Sequence, residues 1–392
     1  MRVLQVFNRR KDWGGEDNSI SDTVEILNAR GVETNLWARD VAEIGNSLMN
    51  KVGVFFSGVY SFKSARMMKD LLQEFRPDVV EMHNIYPQLS PSVFRICSQV
   101  GIPTIWHPHD QKFLCPTGMH LNKGKNCELC VGGHEYQCIL QNCRGKMCES
   151  VGYALWAWSA RKMNMFGKYV TLFVVWSEYL KGRLIKAGYS ADRIEVVPHP
   201  IRIPEESYMS LSGTYVGYIG RISPEKGIDT LVEAAGSLGD VPVHIAGDAS
   251  GDPELVSNAP PSVKFVGWCD KEKKRDFYKN ARIIVIPSIW FEVFPTVALE
   301  ALSYGVPVIG ARLGGIPEVV IDNKTGLLFE TRKSKQLAEK IRYLWERPDL
   351  CAELGKAGRD LMLEEYSEQS YFDTLMQVFH RAIEINEKAK QT

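Results

Sequence analysis

A chain of 392 residues with 45% hydrophobic and 24% charged content has the make-up of a soluble globular protein of two or three domains, at ~150 residues each. Lys+Arg and Asp+Glu both number 47, so the formal net charge is zero and no global field draws the chain to nucleic acid or anionic lipid. No apolar run reaches the ~18 residues of a membrane-crossing helix, and Met1–Phe7, ended by Asn8-Arg9-Arg10-Lys11, is too short for a signal-peptide core. The expected location is the cytoplasm, with peripheral contact at the inner face of the membrane as the one membrane role left open.

Short β-rich runs alternate with amphipathic stretches along the whole chain, which predicts an α/β fold with parallel sheets. In the first half the strands are expected at Val3–Phe7, Glu33–Trp37, Val79–Met82, Thr104–His107 and Phe173–Ser177, with helices at Ser19–Asn28, Ser64–Phe75 and Ser90–Val100. The prolines and charges of Pro198-His199-Pro200 and Pro204-Glu205-Glu206 mark a linker. The rhythm then restarts, with strands at Tyr215–Ile219, Val243–Ala246, Lys264–Val266, Ile283–Ile286 and Val308–Gly310. Helices follow at Gly227–Leu238, Lys271–Lys279, Pro295–Tyr304 and Lys335–Glu346, and a charged helix spans roughly Ser370 to Lys388. The expected domains are 1–199, carrying a cysteine-rich insert at about 115–148, and 200–369, with 370–392 returning to the first. Two Rossmann-like halves facing a cleft, with ligand at the carboxyl ends of the strands, is the architecture this pattern implies.

Two segments carry the chemistry. In Gly220-Arg221-Ile222-Ser223-Pro224-Glu225-Lys226-Gly227, two cations lie on a glycine-punctuated turn after a strand, where a diphosphate can meet a helix N-terminus. In Phe291-Glu292-Val293-Phe294-Pro295-Thr296-Val297-Ala298-Leu299-Glu300, one carboxylate precedes a proline-initiated helix and the other lies inside it. Eight residues are about two turns plus an ~80° offset, so the two carboxylates reach different atoms. Sugar hydroxyls need carboxylates and a diphosphate needs cations, so the pair of segments suits a nucleotide-sugar. A surface loop glutamate and an intrahelical ion pair are the bland alternative for Glu292 and Glu300.

On these residues the chain resembles a family-4 retaining glycosyltransferase of the GT-B fold, over nearly its whole length. The resemblance implies that Arg221 and Lys226 bind the donor diphosphate, that Glu292 contacts the donor sugar with a catalytic role, and that Glu300 holds the ribose. It adds Gly15, Gly247, Trp268, Phe294, Pro295 and Thr296 to the donor contacts. Gly14-Gly15-Glu16 follows the first strand, where adjacent glycines allow a phosphate to approach the backbone; Glu16 is assigned to the acceptor, with helix capping as its alternative. His109 is similar to the family's His-Asp element, which assigns it to the donor sugar or acceptor hydroxyl, with Asp110 orienting it. His83 and Asn84 are candidates for acceptor contact or local structure. The resemblance also implies transfer with retention, no catalytic metal, and a saccharide or lipid-linked saccharide acceptor in cell-surface polysaccharide or glycoconjugate synthesis, and no nucleic acid is expected as a partner.

Six of the nine cysteines fall between Cys115 and Cys148. Clustering of this kind in a cytosolic chain favours structural zinc over disulfides. Similarity to family members with such an insert implies Cys115, Cys127, Cys130 and Cys143 as ligands, with Cys138 or Cys148 as alternates. After the insert, Tyr153, Trp156 and Trp158 with Arg161 and Lys162 form either a core stripe or a membrane-interface stripe, and Val54-Phe55-Phe56 has the same two readings. Two other functions use the same architecture, a sugar-nucleotide epimerase or hydrolase and a non-enzymatic scaffold whose cysteine module binds a partner. A dinucleotide enzyme is disfavoured because no Gly-x-Gly-x-x-Gly follows the first strand.

Overall fold

The computed structural model describes residues 1–9, 15–40, 57–86, 88–205 and 212–391, together with the backbone but not the side chains of residues 15 and 16. Trp13, Gly14 and the Val54-Phe55-Phe56 run lie outside the described residues. The chain divides into two compact units, one of Met1–His120, Glu128–Val197 and Phe372–Thr392, the other of Leu121–Cys127 and Pro198–Tyr371.

The first unit holds a six-stranded parallel sheet of strands β1 (Arg2–Arg9), β2 (Glu33–Asp40), β3 (Val79–Met82), β4 (Thr104–Trp106), β7 (Leu172–Val175) and β8 (Ile194–Val196), in the order β2-β1-β3-β4-β7-β8. Strands β1, β3, β4 and β7 are buried on both faces, as parallel strands covered by helices must be, and so are almost continuously apolar. The chain order reverses between β1 and β3, so the loops after these two strands turn away from each other and open a crevice at their carboxyl ends. The helix Met165–Tyr169 seals one face through Phe166, whose ring stacks on Trp106 with centroids 3.9 Å apart. Beyond Tyr371, the helix Glu368–Gln391 buries Leu375, Phe379 and Ala382, pairs Arg381 with Glu195, and caps the Gly101 carbonyl through Asn386 at 2.8 Å.

The second unit repeats the plan with strands β9 (Tyr215–Ile219), β10 (Val243–Ala246), β11 (Val263–Gly267), β12 (Ala281–Ile286), β13 (Val308–Ala311) and β14 (Gly326–Phe329), all parallel, in the order β11-β10-β9-β12-β13-β14. Its reversal lies between β9 and β12. A two-stranded hairpin of β5 (Leu121–Asn122) and β6 (Lys125–Asn126) stands apart from both sheets.

Among the elements that periodicity did not predict are β8, β14 and the helix Pro348–Glu365. The two strands are short outer strands with no alternation to betray them. The helix contains Gly355 and Gly358, which disfavour helix by propensity. Packing explains them: a Cβ on Gly355 would overlap the Gly305 carbonyl oxygen, and one on Gly358 the Leu302 side chain. The two glycines let this helix press against Thr296–Ser303 and the turn that follows it. Gly355→Ala therefore overpacks a backbone contact, and a loss of about 1–3 kcal/mol is expected, read as a lower unfolding midpoint in urea. An unchanged midpoint would show that the two helices are not held by this contact.

Candidate functional site

In the second unit, the loops after β9 and β12 are the two that flank the sheet reversal, and they carry Arg221, Lys226 and Glu292. Lys226 Nζ lies 2.7 Å from Glu292 Oε1, Ser288 Oγ donates to the same oxygen at 2.7 Å, and the ammonium sits 5.2 Å from the centre of the Trp290 ring. Glu292 is buried. Burial alone would raise its carboxyl, but the charge and hydrogen bond of Lys226, with the Ser288 hydroxyl, hold it below the usual carboxylate range. Arg221 differs: it is two-thirds exposed, 3.4 Å from Glu225, in a pair worth little in water and readily exchanged for another anion.

Glycines fix these loops by close approach. Gly227 has φ +66°, and a Cβ there would overlap the Pro287 carbonyl of the β12 loop; Ile289 N–H donates to the Glu225 carbonyl at 3.0 Å between the same loops. Gly314 has φ +61° and lies against the Glu292 backbone, whose carbonyl accepts from Gly315 N–H at 2.8 Å. Side chains at these positions would push Lys226 and Glu292 apart.

Glu300 lies in the helix Thr296–Ser303, entered through Pro295. Its carboxylate receives the Lys274 ammonium and, at 2.5 Å, the Tyr278 hydroxyl. Tyr278 is buried, and its hydroxyl is pushed far up by burial and by the Glu300 charge, so it stays a proton donor. Phe294 is buried and stacks on Tyr366 at 6.1 Å. Gly247 closes β10 with φ +155° directly against the Gly220 carbonyl, and lines an open depression with Asp248, Phe265, Gly267 and the 70% exposed Trp268.

In the first unit, the register of the sheet assembles a polar cluster that no spacing announces. Gln5 of β1 stands opposite Glu81 of β3, which stands opposite Ile105 of β4. Residues two apart on a strand share a face, so His83 and His107 continue the same face beyond the strand ends. Gln5 Nε2 donates to Glu81 Oε2 at 2.8 Å, and Gln5 Oε1 lies 2.6 Å from His83 Nε2. His83 Nδ1 is 2.9 Å from His109 Nε2, and His107 Nδ1 is 3.1 Å from Glu81 Oε1. Trp176 packs edge-on against His109 at 4.5 Å. Burial pushes His83 down to about 3 against the upward pull of Glu81, while the Glu81 carboxyl, raised by burial, is brought net below its ordinary value by His107, His83 and Gln5. A small cavity of about 40 Å³ opens beside His83, Asn84, His109 and Asp110.

Two neighbours of His109 have local duties. Asp110 takes the Lys112 ammonium and the Lys112 N–H at 2.9 Å, and the His109 ring meets His83 at 2.9 Å. Asn84 accepts from Tyr86 N–H at 3.3 Å, and its carbonyl accepts from Asn8 N–H at 2.8 Å, tying the loop to β1. Gly15 begins the helix Gly15–Ala29, and the side chain of Glu16 is outside the described residues. Sequence reasoning passed over Gln5, Glu81, His107, Ser288, Lys274 and Tyr278. The signal for two of them was present: a glutamine and a glutamate inside otherwise apolar, doubly covered strands.

The insert gathers thiols without closing on them. Cys130 and Cys138 are buried with Ala154 and pack with Cys143, and the Cys138 thiol is pushed up to about 12 by burial and by its neighbours Cys143 and Cys115. All nine cysteines are thiols, and Cys148 is exposed. Among the described residues, the group of three or more metal-type donor atoms lying within 4.8 Å of one another is His83, His107 and His109; the cysteines form no such group. Glu128 anchors the insert to the helix Glu178–Lys186 through Arg183 and Lys186. In the helix Met147–Lys162, Trp156 is buried beside Tyr86 and Tyr153, Arg161 binds Glu135, and Trp158 is exposed.

Residues 13–203 match the family model Glycosyltransferase Family 4, and residues 205–361 match Glycosyl transferases group 1. The chain is 29% identical over 201 residues to the alpha-maltose-1-phosphate synthase of Mycolicibacterium smegmatis, covering 45% of this chain and 52% of that one. It is 36% identical over 142 residues to the D-inositol 3-phosphate glycosyltransferase of Mycobacteroides abscessus, covering 34% of this chain and 32% of that one. The chain thus spans about half the length, or less, of these two curated relatives. In fold it is similar to Anabaena Alr3699/HepE solved in complex with UDP and glucose, with a TM-score of 0.67 at 15% identity over 97% of this chain and 100% of that one.

The His83 environment makes a pH prediction. Its folded-state value is depressed below the unfolded ~6.5, so the unfolded chain takes up the proton first as pH falls. The stability it contributes is complete above about 6.5 and is lost progressively toward about 3. Between pH 7.5 and 5.0 this single group accounts for about 2 kcal/mol. The same change in His83→Asn, measured by urea unfolding at both pH values, should be smaller by that amount; an identical pH dependence in the two proteins would refute the assignment.

Proposed function

We propose, on the premise that this chain belongs to the GT-B glycosyltransferases of group 1 with a first half of the family-4 type, that it moves a sugar from a nucleoside-diphosphate sugar to a saccharide or lipid-linked saccharide with retention of anomeric configuration. The observation that carries the reading is the part-buried Lys226–Glu292 pair at 2.7 Å, held by glycine contacts at the reversal of the second sheet. A donor diphosphate competes with Glu292 for Lys226 and with Glu225 for Arg221. As the two cations turn to phosphate, a Glu292 oxygen is released toward the sugar, while Ser288 keeps the carboxylate in place.

The remaining roles follow the same logic. Developing charge on the leaving diphosphate is met by Arg221, Lys226 and the N–H groups at the start of the helix Thr296–Ser303, beside Phe294 and Pro295. Glu300, steered by Lys274 and Tyr278, holds the ribose hydroxyls, and Gly247 with Trp268 borders the base. The leaving phosphate takes the acceptor's proton, so the step needs no separate general base, and the two cations with the helix N–H groups supply the charge stabilisation a divalent metal would otherwise give. In the first unit His109, with Asp110 beside it, contacts the reacting sugar or the acceptor hydroxyl, and His83, Asn84, Gly15 and Glu16 belong to the surrounding binding surface. HepE, bound to UDP and glucose, supports a nucleotide-sugar donor at the level of fold.

For the insert we propose structural zinc. The ligands belong to the set Cys115, Cys127, Cys130 and Cys143, with Cys138 or Cys148 as alternates, and the packing of Cys130, Cys138 and Cys143, with Cys115 near Cys138, supports a shared thiol site. Exposed Tyr136, Leu140 and Met147 near Arg144 and Lys146 support peripheral contact with a membrane carrying the lipid-linked acceptor. No helix among the described residues is long and apolar enough to cross one. A place in cell-surface polysaccharide synthesis at the cytoplasmic face is consistent with these features.

A thermal-shift screen of nucleotide-sugars tests the core of the reading: at least one is expected to raise the unfolding temperature, and Lys226→Ala is expected to bind it roughly 10–100-fold more weakly, the worth of a charge-assisted hydrogen bond. Glu300→Ala should weaken the nucleoside diphosphate as well as the sugar donor. If no nucleotide-sugar or nucleoside diphosphate stabilises the protein, the donor site is misassigned.

A further inference from the structure

We propose that His83, His107 and His109 form a binding site in the first unit for a divalent transition cation of the zinc class, with Gln5 and Glu81 aiming the rings. The inference stands apart from the donor site, whose cations are Arg221 and Lys226. Two observations carry it: three ring nitrogens converge, and a buried one of the set has no hydrogen-bond partner among the described residues.

One ring nitrogen from each of the three histidines lies within 4.8 Å of the other two. Ligands ~2.0–2.1 Å from a tetrahedral zinc stand roughly 3.3 Å apart, so side-chain shifts suffice to close the set. His83 Nδ1 and His109 Nε2 are already 2.9 Å apart. His107 is 2% exposed, and its Nε2 is buried with no hydrogen-bond partner among the described residues. A buried polar atom in that state calls for a partner, and an ion is one that fits.

The hydrogen bonds behind the rings set which nitrogens face the cation. An ionised carboxylate only accepts. Glu81, wholly buried, takes Gln5 Nε2 at 2.8 Å on one oxygen and His107 Nδ1 at 3.1 Å on the other. A neutral His107 that donates through Nδ1 presents a lone pair at Nε2. Gln5, its nitrogen committed to Glu81, offers His83 Nε2 a carbonyl oxygen at 2.6 Å. His83 therefore donates there and presents its lone pair at Nδ1. Metal-bound histidines give their second N–H to a carboxylate or a carbonyl, and both forms are built here. The cation takes the place of the His83–His109 hydrogen bond, a contact between two of its own ligands, and His109 coordinates through Nε2 with its proton on Nδ1.

The surroundings suit such an ion. Neutral imidazoles select a borderline cation over calcium or magnesium, which prefer oxygen. Glu81, one hydrogen bond behind His107, supplies the compensating negative charge. Trp176 lies edge-on to His107 at 5.2 Å and to His109 at 4.5 Å, an apolar wall on one side. The cavity of about 40 Å³ has His83 and His109 in its lining and exceeds the ~10–15 Å³ that a water needs, so it supplies the entry and room for water as a fourth ligand.

The test uses the full chain, freed of metal by a chelator and loaded with zinc alone at about pH 8, where an ordinary imidazole is neutral. Wild type is expected to hold about one equivalent of zinc more than His107→Asn, whether or not the cysteines of the insert take up a further ion. Glu81→Gln should weaken that zinc by roughly 10–100-fold, read by competition with a chromophoric chelator. Wild type labelled with ¹⁵N at histidine gives a readout that depends on no variant folding: added zinc should move the imidazole signals of three histidines to metal-ligand positions. The proposal is overturned if His107→Asn holds as much zinc as wild type, if folded Glu81→Gln binds zinc as tightly, or if zinc leaves the imidazole signals unmoved. None of these readouts involves a nucleotide-sugar, so this site and the donor site fail or stand separately.

Discussion

Much of the second unit is organised around one part-buried ion pair, the buried Glu292 carboxylate and the largely covered Lys226 ammonium. Bringing Lys226 and Glu292 out of water costs several kcal/mol per ion, and their attraction offsets this only if the distance is short and the spare lone pairs are met. The structure meets both conditions, with a 2.7 Å contact and the Ser288 hydroxyl on the same carboxylate oxygen. Keeping two loops at that distance requires backbones closer than any side chain permits. Gly227 against Pro287 and Gly314 against Glu292 provide that approach. The sheet reversal between β9 and β12 supplies the rest, because it is where neighbouring loops diverge and leave the ends of two strands uncovered.

The first unit solves a related problem with neutral groups. Glu81 is a full charge in the middle of a covered sheet, and it is tolerated because Gln5 and His107 saturate it. The cost of that burial is linked to position: the same register that puts Gln5 beside Glu81 puts His83 beside the two of them at the strand ends. Packing then removes rotational freedom from the rings, with Trp176 edge-on to His109 and the Trp106 indole N–H on the His83 carbonyl at 3.2 Å. The bonds among Gln5, Glu81, His83, His107 and His109 make alternative side-chain arrangements costly, and so favour one of them.

The alternation of strands and helices, the two parallel sheets and the grouping of Arg221, Lys226 and Glu292 on strand-end loops were all legible in the chain. Each depends on local pattern: near-continuous apolar strands, proline at a helix start, glycine at turns. Glu300 was legible as a residue of the helix after Glu292, but its partners Lys274 and Tyr278 come from a different helix and leave no mark near it in sequence. The helix Pro348–Glu365 was hidden because Gly355 and Gly358 lower its propensity for a reason that lies in the helix it packs against.

The division has a physical basis. The sequence by itself determined which segments are strands and helices and which residue types stand at their ends, because hydrophobic period and turn chemistry act within a few residues. Only the tertiary structure decided which of those ends meet. Residues 76 apart, Gln5 and Glu81, become neighbours through the pairing of β1 with β3. His109 meets His83, 26 residues away in sequence, at 2.9 Å, while the adjacent Asp110 accepts from the Lys112 N–H. Among the clustered cysteines, Cys130 and Cys138 are buried together and pack with Cys143, a grouping that spacing does not announce. Such choices are made by strand register and packing, which no local pattern encodes.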